Sequence, residues 1–181
     1  MIDWTHQYFE SDEVIYSIDN NIQLDSRSID NLIKLASQNS RKRIRLCAHK
    51  NPDDQIHEMV IVHPHDAYVR PRLHVNRTES MLILMGEVDY ILFDDTGLIT
   101  SVARMGDFNS GEVFYNSLRQ ETYHTLLIRS EWLVFLETTK GPFDRSDTVF
   151  PSWCPEQSDT SGVGEYMQHI KREIKNGLLH T

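Results

Sequence analysis

The chain has 181 residues and a formal charge of -9 with histidine neutral, from 18 Lys+Arg against 27 Asp+Glu, alongside nine histidines. The length suits one domain, or one domain with an appendage, and the acidic balance argues against a nucleic-acid partner bound through a basic surface. At 39% hydrophobic and 25% charged the composition is globular, well away from a disordered chain. Cys47 and Cys154 lie far apart and form no CxxC pair, so no disulfide framework is expected. The acidic start MIDWTHQYFESDE has no basic n-region and no apolar h-region. No apolar run approaches the roughly 20 residues of a membrane span. The expectation is a cytoplasmic domain with no membrane partner.

In chain order, two short extended pieces come first, around Tyr8-Phe9 and at Val14–Ile18, separated by an acidic turn. A helix is predicted from about Ser28 to Gln38. Ile29, Leu32, Ile33 and Ala36 follow the i, i+3, i+4, i+7 spacing of one buried stripe. Ser26 or Ser28 would cap it, and Asn39-Ser40 would end it before the basic run Arg41–Arg45. Short runs rich in Val, Ile, Leu, Phe and Tyr then recur at roughly 8–12 residue spacing, punctuated by Gly, Asn, Asp and Pro. They are Ile44–Ala48, Ile56–Val62, Ala67–His74, Ser80–Met85, Val88–Phe93, Ile99–Arg104, Glu112–Tyr115, His124–Ile128 and Leu133–Glu137. Met85-Gly86-Glu87 and Asp94-Asp95-Thr96-Gly97 read as hairpin turns.

Many short strands without alternating helices point to a closed or double-sheet β architecture. Residues 141–164 read as a long surface loop. A final helix is predicted over about 164–176, with Tyr166, Met167, Ile170 and Ile174 on one face and Gly177 as its stop. The chain divides into an extension with a helix (1–42), a β-barrel (43–155) and a terminal loop and helix (156–181).

The chemistry concentrates in Tyr68–Gly86. On a strand, residues 70, 72 and 74 share a face, and Glu79 follows across a short turn. A histidine and a carboxylate on adjacent strands, pointing into one barrel mouth, are neighbouring ligands for a divalent metal. His124, at the start of a later strand, is placed to return to the same mouth.

These residues resemble the cupin superfamily signature, whose first motif is HxH, three or four residues, Glu, six residues, Gly, and whose second motif adds one histidine. His74, Glu79 and Gly86 match the latter part of that spacing, and His124 stands for the second-motif histidine. Further patches resemble the WbuC family of cupin-fold metalloproteins of O-antigen (surface-polysaccharide) biosynthesis clusters. They are Arg41–His49, His57-Glu58-Met59, Tyr68-Val69-Arg70-Pro71, Thr78-Glu79-Ser80, Glu137 with Gly141-Pro142-Phe143, and Trp153-Cys154-Pro155. The resemblance covers about residues 32–155. It implies an all-β cupin double-stranded β-helix (jelly-roll barrel), a divalent metal (Zn, Fe, Mn or Ni) on His74, Glu79 and His124, a small sugar or anionic ligand, and a homodimer.

One departure matters. The family reads Pro-His-x-His where this chain reads Pro71-Arg72-Leu73-His74. A guanidinium has no lone pair and stays protonated, so Arg72 cannot ligate. Two outcomes stay open. Either the remaining two-His, one-carboxylate set binds metal while Arg72 turns aside to hold an anion, or Arg72 pairs with Glu79 and the metal is lost, leaving a non-catalytic binding or sensor protein. Enzymatic activity is left undecided.

Other candidates surround this set. His49 is expected to line the cavity, and Glu58 is a candidate acid or base if buried beside it. Tyr68, Arg70 and Tyr123 are candidate hydrogen-bond partners for a ligand. His63-Pro64-His65 reads as a surface turn, and Cys47 as a small buried residue on the face of Arg45 and His49.

Overall fold

The computed structural model describes residues 4–178, so the outermost three residues of each expected terminal segment lie outside the described residues. A hairpin opens the chain, β1 (Tyr8–Ser11) and β2 (Val14–Tyr16), and α1 follows (Ser26–Gln38). Next come β3 (Ile44–Cys47), β4 (Ile56–Pro64), the two-residue β5 (Leu73–His74), β6 (Glu79–Met85), β7 (Glu87–Phe93) and β8 (Ile99–Gly106). The chain finishes with β9 (Tyr115–Leu118), β10 (Tyr123–Ile128), β11 (Trp132–Lys140), β12 (Thr148–Val149) and α2 (Thr160–Leu178).

Two main sheets face each other across a lumen. One has the order β1-β2-β3-β4-β11-β6-β9 and the other β10-β7-β8, while β12 pairs with β5. All ladders are antiparallel except β2 with β3. Neighbours such as β4 and β11 are far apart in sequence, the non-local pairing of a jelly roll.

Strand alternation sorts the side chains. From β3, β4 and β11, Ile44, Leu46, Val60, Val62 and Val134 point outward and pack under Leu32 and Ala36 of α1. Their in-between neighbours Arg45, Cys47, His57, Met59 and Glu137 face the lumen. Full burial of a leucine such as Leu32 contributes about 1.5–3 kcal/mol. A second apolar layer, with Met81, Ile83, Val88, Leu126 and Phe135, plugs one end of the lumen. Ile170 and Ile174 of α2 cover Ile91, Phe93 and Leu127 on the outside of the smaller sheet.

Several expectations are corrected. The cap of α1 is Asp25, whose side chain accepts from the Ser28 backbone N–H while Ser28 Oγ accepts from Asp25 N–H, a capping box that starts the helix two residues early. Ala67–His74 is not one strand. Pro71 has no N–H to give a ladder, and only Arg72, bridged to His124, and β5 pair within it. The turn Asp107–Gly111, with Gly111 at φ +80°, moves the strand predicted at Glu112–Tyr115 on to Tyr115–Leu118. The loop over 141–164 contains β12, which secures β5 from outside. Asp159 accepts from Gly162 N–H and begins α2 at Thr160. Gly177 has no left-handed φ and does not stop it; α2 runs through to Leu178. Gly86 and Gly97 do turn at φ +91°, as their hairpins require.

No helix among the described residues is long and apolar enough to cross a membrane.

The capping box is testable alone. Asp25→Ala is expected to cost about 1 kcal/mol, read as a lower urea midpoint, whereas Leu32→Ala costs about 2–5 kcal/mol. An unchanged midpoint for Asp25→Ala would remove the box from the start of α1.

Candidate metal centre

β5, β6 and β10 bring His74, Glu79 and His124 together, with one ligand atom from each all within 4.8 Å of one another. The backbone of Arg72 and His124 exchanges two hydrogen bonds, N–H of Arg72 to the His124 carbonyl at 3.1 Å and the reverse at 2.9 Å. This bridge holds the irregular segment before β5 against β10. Glu79 lies between the imidazoles, with Oε1 2.8 Å from His124 Nε2 and Oε2 3.5 Å from His74 Nε2. The Tyr90 hydroxyl donates to Oε1 at 3.3 Å, and the Tyr90 ring stacks on His124 at 5.7 Å.

The tautomers follow from the partners. Nδ1 of His124 lies 2.9 Å from the Thr122 carbonyl, which only accepts, so Nδ1 carries the hydrogen. Arg72 Nε donates to His74 Nε2 at 3.2 Å, so that nitrogen is the acceptor and His74 Nδ1–H faces Thr148 Oγ1 at 3.1 Å. Each imidazole thus turns Nε2 toward Glu79 and is oriented by a partner on Nδ1, the arrangement that metal-binding histidines use.

Burial pushes the Glu79 carboxyl up, but hydrogen bonding and charge from His124, with the charges of Arg72 and His74, outweigh it and hold it down at about 2. Burial lowers His74 to about 4, against the pull of Glu79 and with help from Arg72 and His124. His124 Nε2 is buried and lies 2.8 Å from Glu79 Oε1. With the Thr122 carbonyl on one ring nitrogen and the Glu79 carboxylate on the other, this imidazole faces an acceptor on each side. A positive charge therefore belongs between Nε2 and Glu79, carried by a second ring proton or by a cation. Donors around one ion at about 2.1 Å lie about 3–4 Å apart, so small rotamer shifts close this set on a divalent cation.

Arg72 opposes that closure. Its guanidinium spends Nε on a ligand lone pair, and at an effective dielectric of 20 it repels a dication 4 Å away by on the order of 8 kcal/mol. Arg72 makes its hydrogen bond with His74, where the sequence reading had it turn away or pair with Glu79.

The other candidates fall in different places. His49 is buried and stacks on His57 at 4.1 Å between ring centres, and both line the metal half of the lumen in a cavity of about 420 Å³. Burial and His57 lower the His49 pKa, against its bond to the Glu58 carbonyl. Arg70 lies over the Phe150 ring at 4.6 Å and lines the neighbouring cavity. Tyr68 lines that cavity too, but its hydroxyl donates to the Pro155 carbonyl at 2.9 Å. Glu58 and Tyr123 are not brought to the cluster, because each neighbours an inward histidine and so points outward. Glu58 is exposed beside the start of α1, and Tyr123 packs on Trp153. Cys47 is buried on the face of Arg45, its thiol pushed up to about 11 by burial, which leaves it inert at neutral pH.

Two lumen groups have no site role in the sequence reading: Glu137, which enters only through the WbuC resemblance, and His63, read as part of a surface turn. Glu137 is half-buried against the lumen, and desolvation with the nearby Glu79 charge pushes its carboxyl up to about 7. A lone carboxylate alternating with Phe135 on an apolar strand was the available signal. His63 is not on a surface turn; it is the inward residue near the end of β4.

Among curated proteins no sequence matches the chain. The family described as "Domain of unknown function (DUF6016)" matches residues 24–105. Among solved structures, protein SO0799 from Shewanella oneidensis superposes with a TM-score of 0.52 at 10% identity, over 67% of this chain and 82% of that one. Oxalate decarboxylase from Bacillus subtilis, a protein with Mn(II) centres, has a TM-score of 0.43 at 17% identity over 54% of this chain and 24% of its own. Procruciferin, an 11S globulin from Brassica napus, has a TM-score of 0.41 at 13% identity over 70% and 25%. The chain spans about a quarter of the length of these two. The likeness is one of fold, an all-β double-sheet barrel.

His63 gives a pH signature. Burial, with Arg43, Arg72 and Arg41 nearby, lowers its pKa to about 3. The unfolded chain takes up this proton near pH 6.5 and the folded one only near 3, so stability falls as pH drops through that window. Urea midpoints from pH 7 to 4 should decline less steeply in His63→Phe than in the parent; parallel curves would remove His63 from the acid response.

Proposed function

We propose that this protein is a cupin-fold metalloprotein in which His74, Glu79 and His124 hold one divalent cation at the inner end of a ligand-binding lumen. The observation that carries the reading is the convergence of two Nε2 atoms and one carboxylate oxygen within 4.8 Å of one another at the buried inner end of the lumen. A cation there supplies Lewis acidity toward an oxygen of the bound molecule. Around it Glu79 is a permanent carboxylate, Tyr90 donates to it, and Thr148 and the Thr122 carbonyl hold the imidazoles in register. Arg45, Arg72 and Arg77 line the same half and favour an anion over a neutral molecule. The sugar ligand, the surface-polysaccharide role and the homodimer are the narrower reading that the WbuC resemblance supports.

A second reading has its own observation. The bond from Arg72 Nε to His74 Nε2 occupies a lone pair that a metal needs, which favours a metal-free cupin that binds an anion without catalysis.

Metal analysis and melting curves separate the two. With Zn²⁺, Mn²⁺, Fe²⁺ or Ni²⁺ at about 100 times Kd, binding adds about 2.7 kcal/mol of stability and raises Tm. His74→Ala should abolish that shift. Arg72→His, which replaces a repelling cation with a ligand, should bind metal at least tenfold more tightly than the parent. Substoichiometric metal with no Tm shift in the parent would overturn the metalloprotein reading. A variant binding no better than the parent would take Arg72 out of the ligand shell.

A further inference from the structure

The lumen has a second half that the metal centre does not use. Across Arg45, Arg72 and Glu137, which border both halves, a cavity of about 400 Å³ extends toward His63 and Phe150. Five arginines reach it, Arg41, Arg43, Arg45, Arg70 and Arg72, against two carboxylates, Glu13 and Glu137. Arg41 lies 3.5 Å from Glu13. Arg41 and Arg45 stand at the exposed mouth of the cavity, while Arg43 is drawn further in, and burial, with Arg41 and Arg72 contributing, lowers the Arg43 pKa to about 10. Low-dielectric walls around one sign of charge focus its field on whatever enters.

Two polar atoms in this half are buried and without a partner, Arg70 Nε and His63 Nδ1. A guanidinium Nε always carries a hydrogen, so Arg70 has a donor that meets no acceptor. Leaving a buried donor unmet costs about 1–3 kcal/mol, and the cost is larger for a charged group. His63, kept neutral by burial and by the surrounding arginines, offers an N–H without adding charge. The directions of these groups are constrained. The Phe150 ring lies 4.6 Å from the Arg70 guanidinium carbon, and Arg43 is anchored by a 2.7 Å bond from one terminal nitrogen to the Tyr68 carbonyl.

We infer that this half of the lumen is a subsite for an oxyanion, the carboxylate or phosphoryl group of a small molecule, received by Arg70, Arg43 and His63. An oxyanion meets the two unpartnered groups and neutralises the arginine excess, which neither a neutral sugar nor an apolar ligand does. The cavity holds a small molecule's acidic group and has no room for a macromolecule. The inference deepens the ligand side of the proposed function and does not rest on the metal.

The test uses the full chain stripped of metal with EDTA, so that a failed metalloprotein reading leaves it intact. Calorimetric titration at pH 7 and low ionic strength, with inorganic phosphate and separately with malonate, should show saturable binding of one anion per chain. The tighter of the two names the group. Arg70→Gln should weaken it at least tenfold. Because that substitution also touches Phe150, the parent supplies a second readout: the Nε–Hε NMR signal of Arg70 should shift with the same saturation curve. No saturable binding of either anion, equal affinity in a folded Arg70→Gln, or binding that appears only when metal is restored would each overturn the subsite.

Discussion

A carboxylate buried inside a β-barrel survives as an anion only where donors and cations surround it, because the solvation it gives up is worth several kcal/mol. Glu79 is that carboxylate, and the inner wall of this protein is arranged around its charge. His74 and His124 approach from either side, Tyr90 donates to it, and Arg72 stands behind His74. The irregular stretch before β5 has little pairing of its own. It stays in place through the Arg72–His124 bridge, the hydrogen bond from Thr125 Oγ1 to the Val69 carbonyl, and the pairing of β12 with β5.

The same sheet serves two purposes because strands alternate. The outward aliphatic residues Ile44, Leu46, Val60, Val62 and Val134 pack under α1, which stabilises the sheet without touching the site. Inward residues hold imidazoles, guanidinia and carboxylates. Covering the outer face with a helix lets the inner face carry polar groups that a small core otherwise excludes, since the apolar burial that stabilises the domain is supplied elsewhere. Glu79 and Glu137 show how far this goes. They lie in one lumen, and like charges in a low dielectric separate their affinities, one carboxyl held low among cations and the other pushed up.

Much of this was legible in the residues. The α1 stripe, most of the short strands and the His74, Glu79, Gly86 spacing follow from local periodicity and turn chemistry, which act over a few residues. The failures also have local causes. Pro71 broke a strand that its apolar neighbours suggested, and Asp25 began a helix that two serines were expected to cap. Glu58 and Tyr123 were chosen for their chemistry, and alternation from the adjacent histidines places both outside. His63-Pro64-His65 reads as a strand end and turn before Asp66, yet β4 continues through Pro64.

By itself the sequence determined the class of fold, the absence of an imidazole at position 72 and the acidic chain with its local cluster of arginines, since these depend on residue identity and short-range pattern. Only the tertiary structure decided which charges meet. The contact of Arg72 with His74, the meeting of His124 with Glu79, the placement of Glu137 in the lumen, and the gathering of Arg43, His63 and Arg70 around one cavity join residues from strands far apart in the chain. Such contacts are set by sheet order and register. Electrostatic energy depends on distance and dielectric in space, and neither quantity is written along the chain.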